Sequence, residues 1–219
     1  LAYWSLIPLN ATALALICQY MFPGIVRQGL LYEIAGWEVY AGEVILASAF
    51  IVIMALINIR GIKQAAWMQT AIALTLVGCI FVITFVVMSI SDWSNLAPGF
   101  PEGRHWWKGV FSIVAMAPWA FIGFDCIPQS AEEYNFSHRK STTIMILAVI
   151  IAAILYICVC TVTAVGLEPW QDLLTRRHEW PTGHVVRNTL GLVGFIALGV
   201  AMFCAVVSGM NAFYISTSR

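Results

Sequence analysis

Apolar residues come along this chain in runs separated by short polar breaks, without the strict alternation of a half-buried strand. A hydrocarbon core about 30 Å thick takes roughly 20 helical residues at about 1.5 Å each. On that measure the runs predict six spans, at about 1–22, 43–59, 65–90, 109–131, 141–167 and 185–216. Pro23 and Gly24 end the first. Residues 27–42, with Glu33 and Glu38 among Leu30, Leu31, Trp37 and Tyr40, read as a short amphipathic connection at the interface. Arg60, Gly61 and Lys63 make a basic turn, and Trp106 and Trp107, in a polar loop before the fourth span, suit an aromatic belt. The EPWQDLL stretch starting at Glu168 reads as a short surface helix.

The fourth span organises the rest. It carries Pro118, Gly123, Asp125 and Pro128 inside an apolar stretch long enough to cross a membrane. Proline removes a backbone donor and glycine permits non-helical angles, so carbonyl and amide groups around Trp119 to Phe124 lose intrahelical partners. Lipid cannot satisfy those groups. Such breaks occur where protein or a water-filled cavity surrounds them, and in secondary transporters they hold the substrate. The competing reading is an ordinary proline kink. Asp125 is the one acidic group well inside a span. An ionised carboxylate there faces a cavity, pairs with a cation, becomes protonated, or reaches water at the interface.

Composition fixes the class. Of 219 residues 61% are hydrophobic and 10% charged, against about 25% charged in a soluble domain, so the chain is a polytopic membrane protein. Its net charge of zero leaves no electrostatic case for nucleic acid. The six cysteines fall in apolar runs and read as free, buried thiols. Cys158 and Cys160 project about 200° apart on a helix and cannot share a metal. With no serine-histidine-acid set and no glycine-rich phosphate loop, an enzyme is not expected. In the sixth span Ala197, Ala201, Ala205 and Gly209 recur every fourth residue, a stripe for close helix approach. Ser208 and Asn211 beside it are expected to bond a neighbouring backbone. Basic residues in the short turns at Arg60 and Arg139 favour those turns as cytoplasmic.

Three segments carry a resemblance. WAFIGFDCIPQSAEE, from Trp119 to Glu133 and followed by a basic turn, resembles the sixth transmembrane helix of the amino acid-polyamine-organocation (APC) superfamily of transporters. NIRGIKQAA, from Asn58 to Ala66, resembles that superfamily's junction of fourth and fifth helices, and NAFYISTSR, from Asn211 to Arg219, the end of its eighth.

The resemblance implies an all-α integral membrane protein with a LeuT-like fold of two inverted five-helix repeats, usually within a twelve-helix protein. The chain would form a single transmembrane region, a fragment supplying helices three to eight, one of them broken, and partnered by the parent chain's remaining helices and membrane lipid. It implies a permease of amino acids or related amines working by alternating access. A channel or ligand-sensing protein built on the same broken helix is the alternative.

Carried over residue by residue, the resemblance runs the break through Trp119, Ala120, Phe121, Ile122 and Gly123, with Phe124 beside it. Exposed carbonyls there would receive the substrate's ammonium group, and Trp119 would act as an aromatic gate. Asp125 and Ser208 become candidates for coupling or gating. No metal or organic cofactor is implied, and the coupling ion, H+ or Na+, stays open. Leu76 stands where some proton-coupled members have lysine, and Ser208 falls near the eighth-helix hydroxyl that sodium-coupled relatives of the wider fold use, whereas Val207 replaces the neighbouring hydroxyl. The expected location is the plasma membrane, with both ends of the chain cytoplasmic.

Overall fold

The structure is a computed structural model and describes residues 2–59, 62–97, 99, 103, 105–123, 126, 137–166 and 180–217. In hydrocarbon every backbone N–H needs a partner within its own segment, so uninterrupted apolar runs become helices. The helices are α1 (Ala2–Met21), α2 (Pro23–Val26), α3 (Ala41–Ile59), α4 (Ile62–Ile90), α5 (Trp106–Ala120), α6 (His138–Val165) and α7 (Pro181–Thr217). All of these except α2 and α5 are long and apolar enough to cross a membrane. The fourth expected span differs: α5 stops at Ala120, and its 15 residues cover only about 22 Å. The expected surface helix at EPWQDLL lies outside the described residues.

The described chain forms two compact units, Leu1–Val77 with Gly199–Arg219, and Gly78–Leu198, so α4 and α7 each contribute to both. In the first, α1 packs on α3 through residues such as Ile7, Ala11, Leu14, Ala47, Phe50 and Met54, all buried. The C-terminal part of α7 joins them: Phe50 and Phe203 lie 6.1 Å apart, and the Tyr214 hydroxyl donates to the Ile51 carbonyl at 2.9 Å. Met21 seats against Gly199, where even a Cβ would fall 2.2 Å from its sulfur.

The described chain is all-helical apart from the connection between α2 and α3, read as a short amphipathic connection, which is a β-hairpin, β1 (Leu30–Ile34) and β2 (Trp37–Tyr40). Its signal was in the sequence: YEIAGWEVY alternates apolar and acidic residues about a central Ala35-Gly36 pair. Both turn residues take positive φ, 53° and 81°, the geometry whose twist matches a two-residue hairpin. Ala41 N–H bonds the Gly29 carbonyl at 2.7 Å and Gly42 N–H bonds that of Gln28 at 3.2 Å. The first amides of α3 thus find partners that no helix can supply for itself.

In the second unit a core of Ile80, Ile83, Val87, Val162, Val165 and Val186 is buried. A 3-10 helix (Trp93–Leu96) follows α4, capped by Asp92, whose side chain accepts the Ser94 N–H at 2.9 Å. That bond holds the exposed carboxyl below the usual carboxylate range. The Asn95 amide donates to the Gly166 carbonyl and closes the C-terminal end of α6. Within α7, Gly191 has φ 67° and ψ −156°, a conformation open essentially to glycine alone. The helix is therefore two segments, 181–190 and 192–217.

All six cysteines are free, as expected, but only Cys126 and Cys204 are buried and Cys160 is exposed. The expected stripe on α7 is also corrected. Ala201 is fully buried, whereas Ala205 is exposed. Residues four apart drift about 40° per step around a helix, so a stripe of that spacing leaves the packed face, which runs instead through Ala201, Cys204, Val207 and Met210.

Candidate functional site

Pro118 lies inside α5, and the helix persists two residues beyond it. Phe121 N–H still bonds the Ala117 carbonyl at 3.1 Å, but residues 121–123 are turns. Gly123 sits at φ 112°, where a side chain would be strained, and its carbonyl accepts the Cys126 N–H at 3.1 Å. A helix end leaves its last carbonyls without intrahelical donors. Here a neighbouring helix supplies one: the Tyr156 hydroxyl of α6 donates to the Ala120 carbonyl. The Tyr156 ring meets Phe121 edge-on, centroids 5.5 Å apart at 77°.

The structure thus brings Ala120, Phe121, Ile122 and Gly123 together at one helix end, with Ala120 and Ile122 exposed. Phe124, Asp125 and the side chain of Trp119 lie outside the described residues. Sequence reasoning missed Tyr156, a hydroxyl midway along an apolar run that only the fold pairs with the end of α5. Tyr156→Phe is expected to lower stability by about 1 kcal/mol, and Tyr156→Ala by roughly 0.5–1.5 kcal/mol more through loss of the ring pair. Thermal melting of the purified protein in detergent checks this, and an unshifted Tyr156→Phe would remove the bond from the account.

Ser208 belongs to the other unit. Contrary to expectation, it and Asn211 bond a side chain and not a neighbouring backbone. Gln69 of α4 donates through Nε2 to Ser208 Oγ, and its Oε1 accepts from Asn211 Nδ2 at 3.1 Å. An amide both donates and accepts, so one glutamine bridges two residues three apart on a single α7 face. Asn211 is fully buried, and its Oδ1 has no hydrogen-bond partner among the described residues. Asn10 of α1 approaches the same turn: a Cβ on Gly209 would lie 3.3 Å from Asn10 Oδ1.

Among the described residues no group of three or more histidine, cysteine or acidic side chains is placed to hold a metal. A cavity between Ile80, Thr84, Val162 and Thr182 in the second unit measures about 10 Å³. It holds at most about one water.

The sequence profile of the amino acid permease family matches residues 1–219. The chain is 29% identical over 167 residues to cationic amino acid transporter 4 of Homo sapiens, covering 70% of this chain and 25% of that one. To the vacuolar cationic amino acid transporter 8 of Arabidopsis thaliana it is 35% identical over 77 residues, 35% of this chain and 12% of that one. To the methylthioribose transporter of Bacillus subtilis (strain 168) it is 27% identical over 127 residues, 58% of this chain and 27% of that one. The chain thus spans about a quarter or less of the length of these relatives. No solved structure matches it. With the family profile matched along its whole length, the chain belongs to the amino acid permease family.

Proposed function

We propose that this chain is part of a secondary transporter carrying amino acids or related amines across a membrane by alternating access, within a LeuT-like fold in which α5 is the first half of a broken helix. The observation that carries the reading is the end of α5. Helix stops at Ala120 inside an apolar stretch, and Gly123 turns the backbone at φ 112°. Carbonyl dipoles at such an end replace water around an ammonium group. In this proposal Trp119, Ala120, Phe121, Ile122, Gly123 and Phe124 line the substrate site, Trp119 closes over it, and Asp125 and Ser208 take part in coupling to H+ or Na+ or in gating. Cationic amino acids head the substrate panel because two of the relatives carry that name. The proposed location is the plasma membrane, with the turns at Arg60 and Arg139 cytoplasmic.

The test is uptake of radiolabelled amino acids and amines into proteoliposomes holding the full-length protein, with and without sodium and pH gradients. Saturable uptake is expected, reduced at least tenfold by Trp119→Ala and altered in its gradient dependence by Asp125→Asn. A folded protein that neither takes up nor exchanges any of the panel would overturn the proposal.

A further inference from the structure

The tip of the hairpin between α2 and α3 separates apolar from acidic side chains, although Leu30 at its base, opposite Tyr40, falls on the acidic side. Register pairs Ile34 with Trp37 and Tyr32 with Val39, whereas Glu33 stands opposite Glu38 and Leu30 opposite Tyr40. Paired residues share a face and neighbours along a strand alternate. One face is therefore Tyr32, Ile34, Trp37 and Val39, with no charge. The other carries both carboxylates, and there the Tyr40 hydroxyl donates to Glu38. Most of the apolar face is uncovered by the described chain: Tyr32, Ile34 and Trp37 are 51%, 61% and 51% exposed, while Val39, nearest α3, is half-buried.

The acidic pair says which face is wet. Two carboxylates directly opposite each other repel, and the repulsion grows several-fold where water is scarce. That face therefore looks to solvent and the apolar face looks away from it. The hairpin's position says what lies there. Strand β2 runs into α3 without a linker, and β1 is tied to the base of α3 by the Gly29 and Gln28 carbonyls. Strands this short reach only about 17 Å, so the hairpin stays within that distance of the level where α1 and α3 leave the membrane and can lie along its surface. Its surroundings continue the apolar surface, with Phe22 and Ile25 at its foot and Val44 and Ile45 on the first turn of α3 all exposed. Tyrosine and tryptophan are the residues that membrane–water boundaries favour. Arg27, at the hairpin's foot, is the only lysine or arginine from 1 to 59, and one cation beside two carboxylates gives no net attraction to acidic lipid heads.

We propose that the hairpin lies flat on the bilayer, with Tyr32, Ile34, Trp37 and Val39 dipping into the boundary between headgroups and acyl chains of uncharged lipid, and Glu33 and Glu38 turned to water. Nitroxide labels at Ile34→Cys and at Glu33→Cys test this in the full-length protein, its native cysteines replaced, in phosphatidylcholine vesicles. Collision with oxygen reports lipid and collision with a water-soluble nickel chelate reports solvent. The label at 34 is expected to meet oxygen and be shielded from nickel, and that at 33 the reverse. Val39→Cys and Glu38→Cys repeat the comparison on the second strand, so that one perturbed variant does not decide it. Equal nickel access at both faces would overturn the proposal by placing the hairpin in water. Shielding of 34 and 39 from both probes would overturn it in favour of a protein partner.

Discussion

Gly42→Ala is expected to destabilise the protein by about 1–3 kcal/mol, although alanine is the better helix former. A Cβ on Gly42 would stand 2.4 Å from the Val26 carbonyl oxygen and 3.1 Å from its carbon. Both are backbone atoms, so no side-chain rotation relieves the contact. The alternative is for α2 to move off α3, which would expose the buried Val26 and stretch the bonds from Ala41 and Gly42 to the Gly29 and Gln28 carbonyls. Gly78→Ala is the control. Nothing lies within 4 Å of its Cβ position in α4, and a helical alanine there is expected to gain up to about 1 kcal/mol. Melting temperatures of the two variants in the same detergent should move in opposite directions. A rise in both would mean that α2 and α3 are not in contact at Gly42.

The second large effect is expected at Gln69 and Asn211. Asn211→Leu leaves Gln69 Oε1 without its donor, and Gln69→Leu strips partners from both Asn211 and Ser208. Asn211 is wholly buried and has no route to water. Each single change is expected to cost about 1–3 kcal/mol. The double variant should cost less than the sum by about 0.5–3 kcal/mol, since its polar atoms leave together. Strict additivity in this cycle would show that the two side chains do not interact. Uptake read alongside separates two roles. If Ser208 works in transport, the double variant recovers stability without recovering uptake, whereas recovery of both would make the cluster a packing device.

The long helices were legible because a backbone in an uninterrupted apolar run has so few choices. The run read as 65–90 is α4, and those read as 43–59 and 141–167 are α3 and α6 within a few residues. Chain-local signals fared next best. The end of α5 soon after Pro118 was foreshadowed by proline and glycine inside an apolar run, and the hairpin, though passed over, was visible as alternation about Ala35 and Gly36. Contacts between distant residues were not legible. Gln69 and Asn211 are separated by 142 positions, and Tyr156 lies 36 positions from the carbonyl it caps. A lone polar residue in an apolar run advertises that it needs a partner without naming one. Nor did spacing reveal Gly191, because a glycine among LGLVG reads as helix until φ is known.

The conformation at Gly191 divides the longest helix into two rods. The segment 181–190 rises about 15 Å and 192–217 about 39 Å, so only the second is long enough to bridge a bilayer. The shorter rod does not hang free at the joint: Arg187 lies over the Phe195 ring at 5.2 Å, Trp180 meets the same ring at 5.4 Å, and Val185 and Val186 are buried. The glycine sets the direction of the shorter rod, and side chains reaching across the turn hold it there.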